Sequence, residues 1–136
     1  MTFSMLDSLV TCNTTANWVD VVAAVNAVKS YRAGSIYMEN SLNGVISNTN
    51  TFTNCNLAQD GGIYYIVNSK LADTGSKYFK VSALYGSVMK CRNCDFTFTL
   101  STMDGCYAES GGAFMIENDA TGLVFATSFI GTKAKN

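Results

Sequence analysis

The sequence predicts an all-β chain wound as a parallel β-helix, a solenoid of about four rungs with a helix capping its N-terminal end. Three observations carry that reading. Gly34, Gly61, Gly86 and Gly111 are separated by 27, 25 and 25 residues, and 25 more bring the chain to its end. Phe52, Phe79 and Phe129 each lie 18 residues after one of those glycines. Asn68, Asn93 and Asn118 are spaced by 25. A repeat of this length means one supersecondary unit stacked on the next. A β-sandwich also uses short strands and frequent turns. It gives no reason for phenylalanine to keep a fixed distance from glycine.

Residues 1–33 do not keep the beat and are read as an N-terminal cap. Asn17 opens a helix near 17–32 as its N-cap, with Asp20 in the first turn. Trp18, Val21, Val22, Val25 and Val28 follow at helical spacing, and Lys29 and Arg32 fill the last turn. Such a helix would cover the open end of a solenoid. A short strand is the alternative, because valine is an indifferent helix former.

Residues 34–136 divide into rungs 34–60, 61–85, 86–110 and 111–136. Each opens with a small pair and an apolar run, as in Gly61-Gly-Ile-Tyr-Tyr-Ile and Gly111-Gly-Ala-Phe-Met-Ile. Asn40, Asn68, Asn93 and Asn118 come next. Asparagine tolerates a left-handed backbone, so it marks a bend. Gly75, Gly105 and Gly122 supply further turns. A second run surrounds Phe52, Phe79 and Phe129, and Phe96, Phe98, Leu100 and Met103 take that place in the third rung. The expected rung is therefore strand, bend, strand, bend. Phe52, Phe79, Phe129 and the asparagines should form ladders, with rungs ~4.8 Å apart and a rod ~20 Å long.

The bulk composition narrows the function. The 136 residues carry nine basic and ten acidic side chains, a net charge of -1. That balance, with no basic stripe, argues against nucleic acid as a partner. Charged residues make up 14 % of the chain, and the polarity comes from Asn, Thr and Ser instead. No apolar stretch is long enough to insert in a membrane, and Met1–Val10 does not read as a signal peptide. The C-terminus falls at a repeat boundary without a capping sequence, which predicts a section of a longer chain. No histidine and no proline occur. The first absence removes Ser-His-Asp and Cys-His machinery. The second suits backbone N–H groups committed to ladders.

The phrases Phe52-Thr-Asn-Cys-Asn-Leu-Ala-Gln-Asp-Gly-Gly-Ile-Tyr and Cys106-Tyr-Ala-Glu-Ser-Gly-Gly-Ala-Phe add a family likeness. They resemble the repeats of pectin-lyase-like right-handed parallel β-helix proteins. The likeness is closer to large surface proteins with Phe-x-x-Asn and Gly-Gly-Ala-Ile repeats, as in polymorphic outer-membrane proteins and similar protist repeat proteins. It covers residues 34–136. It implies an elongated extracellular or cell-surface module, and it raises polysaccharide cleavage as a rival. The paired aspartates, Gly-His-Gly and Arg-x-Lys of galacturonases are missing, and the only arginines are Arg32 and Arg92.

Candidate sites are few. Cys91-Arg-Asn-Cys94 is a C-x-x-C pair without the further ligands a zinc site needs. It reads as a local disulfide at a bend or as two free thiols. Cys55 and Cys106 fall at like positions two rungs apart, ~9–10 Å, too far for a bridge. They read as small buried residues, and Cys12 completes an odd total of five. Asp60 and Glu109 each precede a glycine pair, but nothing else supports an acid–base pair there, and solvated turns are the better reading. Asp95 and Asp104 make no stronger case. Gly61-Gly62 and Gly111-Gly112 lack P-loop spacing. Tyr37, Tyr64, Tyr65, Tyr107 and Phe114 could line a glycan-binding face or stack in the core. Asn13-Thr-Thr15 is the one N-glycosylation sequon.

These readings predict a structural or adhesive extracellular repeat module, not an enzyme, with no cofactor and no metal. Its partners would be other copies or the rest of a longer chain, with glycans a further candidate. The alternative is a polysaccharide-binding or polysaccharide-cleaving β-helix protein.

Overall fold

The chain is a parallel β-solenoid of about four turns. The computed structural model describes residues 2–6, 9–11, 36–40, 44–55 and 58–135. Four parallel sheets run along it. Sheet A stacks β1 (Thr2–Leu6), β4 (Gly44–Asn48), β8 (Lys70–Thr74), β12 (Asp95–Thr99) and β16 (Thr121–Phe125). Sheet B stacks β2 (Leu9–Thr11), β5 (Thr51–Thr53), β9 (Lys77–Phe79), β13 (Thr102–Asp104) and β17 (Ser128–Ile130). Sheet C holds β3 (Ile36–Glu39), β7 (Tyr64–Val67), β11 (Met89–Arg92) and β15 (Phe114–Glu117). Sheet D holds β6 (Ala58–Asp60), β10 (Ser82–Tyr85), β14 (Tyr107–Ser110) and β18 (Lys133–Ala134). Each full coil visits C, A, B and D in turn.

A coil thus has four short strands, not the two separated by bends that the sequence suggested. The reason lies at the corners, where single residues turn the chain in the left-handed region. Asn40, Asn68, Asn93 and Asn118 turn it between sheets C and A, with φ of 56, 49, 52 and 61. Gly61, Gly86 and Gly111 turn it after sheet D, with φ of 67, 67 and 88. Both corners carry the residue types that favour this conformation. Between A and B the corner residues are Thr49, Gly75, Leu100 and Ala126, and after β9 it is Lys80. Thr49, Leu100, Ala126 and Lys80 pay a steric cost there, and the surrounding ladders hold them in place.

Alternation along the strands sets what faces inward. In β8, Leu71 and Asp73 are buried between exposed Lys70, Ala72 and Thr74. In β12, Phe96 and Phe98 take the inner places. The register aligns Val45, Leu71, Phe96 and Gly122 in one inner column and Ser47, Asp73, Phe98 and Val124 in the next. Gly122 is needed because a Cβ there would collide with the Phe96 ring.

The phenylalanine ladder differs from the expected one. Phe52 aligns with Tyr78, Tyr78 with Met103, and Met103 with Phe129. Phe79 lies one position later, opposite Thr53 and Asp104 and half-exposed. Insertions explain the slip. Glu39 to Val45 spans six residues where the aligned Val67 to Leu71 spans four. Glu117 to Thr121 spans four where Arg92 to Asp95 spans three. The shared spacing of 18 residues therefore mixes two registers.

The segment 1–33 also holds strands: β1 pairs in parallel with β4 and β2 with β5, so residues 2–11 begin a coil of their own. The helix expected near 17–32 and Gly34 lie outside the described residues.

Candidate assembly site

The last coil is built like the others but has no coil above it among the described residues. β16 and β17 are the outer strands of sheets A and B, and β15 and β18 the outer strands of sheets C and D. Ile116 shares a column with buried Cys91 and Ile66, yet it is 47 % exposed. Val124 and Phe129, in the columns of buried Phe98 and Met103, are 41 % and 46 % exposed. Leu123, Phe125 and Ile130 add apolar surface on the same strands. An apolar end bordered by unpaired backbone N–H and C=O groups is a template for a further strand.

Below that end, an aromatic column runs through the interior. Phe52 stacks on Tyr78 with centroids 5.3 Å apart, and Phe98 on Phe114 at 4.8 Å. Tyr78 and Phe98 meet edge to face at 6.3 Å, and Phe114 meets Phe129 likewise at 5.8 Å. The column therefore ends at the exposed face.

Beside it lies a buried polar network. The Tyr64 hydroxyl donates to Ser47 Oγ at 2.9 Å and shares a 2.8 Å bond with the Tyr78 hydroxyl. Asn50 Nδ2 donates to Ser47 Oγ at 2.8 Å and to the Met5 carbonyl at 3.0 Å. Ser101 Oγ donates to Asp73 Oδ2 at 2.7 Å. Asp73 Oδ1 is buried with no hydrogen-bond partner among the described residues. Burial raises the Asp73 carboxyl above its ordinary value, and the hydroxyls of Ser76, Ser101, Ser47 and Tyr78 offset part of that. Burial also pushes both phenols up, with the neighbouring carboxyl adding to the effect. No sequence signal pointed to this network, because Ser, Asn and Tyr at inward positions look the same in sequence as at outward ones.

Lys90 makes a tight ion pair on the outer side of the coils. Lys90 Nζ lies 2.6 Å from Asp60 Oδ1 and 3.9 Å from Glu117 Oε1. It also sits over the Tyr65 and Tyr85 rings, 5.4 and 5.1 Å from their centroids. Glu109 pairs instead with Lys135 at 3.7 Å. Asp60 and Glu109 are thus held by different lysines and occupy different register positions. Asp60 aligns with Tyr85, which aligns with Ser110.

The other singled-out residues serve the coil. The asparagines form an amide ladder: Asn68 Nδ2 donates to Asn40 Oδ1 at 2.9 Å, and Asn93 Nδ2 to Asn68 Oδ1 at 2.7 Å. Cys91 and Cys94 form a disulfide around the Asn93 corner, with Cα atoms 5.8 Å apart. Cys55 is buried, as its position suggested, and is disulfide-bonded, though not to Cys106. Cys106 is a buried free thiol, pushed up to about 11 by burial. Of the five aromatics, Tyr64 and Tyr65 are buried, Tyr107 and Phe114 half-buried, and Tyr37 exposed, so they form no common face. Asn13 and Cys12 lie outside the described residues. Among the described residues no group of three His, Cys, Asp or Glu side chains could hold a metal ion. The chain matches no protein-family model, no curated protein and no solved structure.

Proposed function

We propose that the chain is a structural or adhesive module, working outside the cell as a subunit or section of a larger fibre or surface assembly. The exposed apolar end of the last coil carries this reading. Its inner columns hold Ile116, Val124 and Phe129, residue types that cost free energy when left in water. Two of its edge strands, β16 and β17, carry no charge and no proline from Thr121 to Ile130, so neither of those devices blunts them. A further parallel β-coil, from another copy or from the rest of a longer chain, satisfies both features. The Cys91–Cys94 bridge and the disulfide at Cys55 support an oxidising compartment.

The test is sedimentation velocity over a range of concentrations, on the chain and on Val124→Asp. The chain should associate with rising concentration. The variant should shift toward monomer, because a carboxylate there would be buried against apolar side chains without the hydroxyls that surround Asp73. A chain that stays monomeric at high concentration would overturn the reading.

A further inference from the structure

The two ends of the solenoid match. At the C-terminal end, β16 has five residues, two corner residues follow, and β17 has three. At the N-terminal end, β1 has five residues, two residues follow, and β2 has three. Thr121 − Thr2 and Ser128 − Leu9 give the same offset of 119, so both strands shift together. The internal coils share the pattern: β4 and β5, β8 and β9, and β12 and β13 are each five residues, two and three. Within the chain β1 already docks on β4, and β2 on β5, in strict parallel register. In sheets A and B, β1 and β2 are the outer strands at one end, as β16 and β17 are at the other. Neither β1 nor β2 contains a charge or a proline.

We infer that the C-terminal edge is built to receive the N-terminal β1–β2 pair of a second copy, head to tail. The register sets Thr121 beside Thr2, Leu123 beside Ser4, Val124 beside Met5 and Phe129 beside Val10. This rests on the stacking reading above and names its partner. Stacking is parallel because a solenoid coil is a closed circuit with a direction. Turning the second copy over about the corner lays a five-residue strand against a three-residue one in both sheets, so the lengths no longer match. Parallel docking continues both. It also continues the outward column Ser4, Ile46, Ala72, Thr97 and Leu123, which repeats once per coil. Head-to-tail contacts of this kind do not close on themselves, so they give an open filament.

Cysteine pairs test the register. Paired positions on adjacent strands lie ~4.8 Å apart, whereas a shift of two residues along the strand stretches that to ~8 Å. A disulfide needs Cα atoms within ~7 Å. Ser4→Cys chains mixed with Leu123→Cys chains and oxidised should give a linked heterodimer. Ser4→Cys with Phe125→Cys should give little, and the unaltered chain oxidised in parallel sets the background. Ser4 and Leu123 are both exposed, so the substitutions spare the core. As a second measure, Ser4→Lys alone should weaken association and mixing it with Leu123→Glu should restore it. Linked Leu123→Cys homodimers, or association without either cross-link, would overturn the head-to-tail register and leave stacking standing. Absence of association in the unaltered chain would overturn both.

Discussion

The coil β7–β10 and the coil β15–β18 hold equivalent positions in the same columns, and they differ in what lies above them. In the first, Tyr64, Ile66, Leu71 and Tyr78 are all buried. In the second, Ile116, Val124 and Phe129 are exposed although their inward register is the same. Inwardness in a solenoid is set by the strand, but burial is set by having a neighbour on both sides. A globular core has one centre. Here each coil completes the core of the next, so the contribution of a residue depends on its coil number as much as on its chemistry.

The largest test of that difference uses one column twice. Tyr78→Ala should cost about 3–5 kcal/mol, the usual range for emptying a large buried aromatic site. It removes a ring stacked on Phe52 and packed against Tyr64 and Phe98. Phe129→Ala in the unassociated chain should cost only about 1 kcal/mol, since roughly half of that burial is missing. Urea midpoints of the two variants, measured below the concentration of association, decide it. Equal losses would mean that the last coil is covered within the chain itself.

A backbone version of the same contrast is smaller. Gly61 and Gly131 both have positive φ, 67 and 59. Alanine at either should lose about 1–2 kcal/mol for the left-handed conformation alone. At Gly61 a Cβ would also overlap the Tyr64 carbonyl and crowd the Lys90 backbone, whereas nothing lies within 4 Å at Gly131. Gly61→Ala should therefore be the more destabilising in thermal melts, and parity between them would contradict the close coil-to-coil approach.

The sequence reveals the solenoid because two corner types carry their own signal. Asn68, Asn93 and Asn118 recur at the C-to-A corner, and Gly61, Gly86 and Gly111 at the other. Four strands per coil were hidden because the remaining corners keep no residue type from coil to coil: Asn54, Gly75, Gly105 and Gly131 alternate with Thr49, Lys80, Leu100 and Ala126, residues that announce no turn. The misplaced Phe79 has a related cause. A count from glycine assumes equal corners, and the first and last coils carry extra residues. The end face was partly legible, from the uncharged stretch Leu123–Ile130. The polar interior was not, since burial of Asp73 follows only from its column with Ser47 and Phe98.

That column supplies the smallest and most selective prediction. Ser47, Asp73, Phe98 and Val124 stand in one line, with a carboxyl mid-rod and an apolar side chain at the open end. Burial raises the Asp73 carboxyl above its usual 3.8. Below that value the group is protonated whether the chain is folded or not, and its contribution to stability is complete. As pH rises, the unfolded chain gives up the proton first. The native state then holds more protons than the unfolded one, so stability falls until the folded carboxyl itself ionises. Asp73→Asn keeps an acceptor for Ser101 Oγ and cannot ionise. The variant should match the parent near pH 3 and be the more stable at pH 7, with the gap opening above 3.8. Urea midpoints across that range measure it. A gap that stays constant with pH would mean that Asp73 ionises as freely in the fold as in water, and that the interior of the middle coils is as wet as the open end.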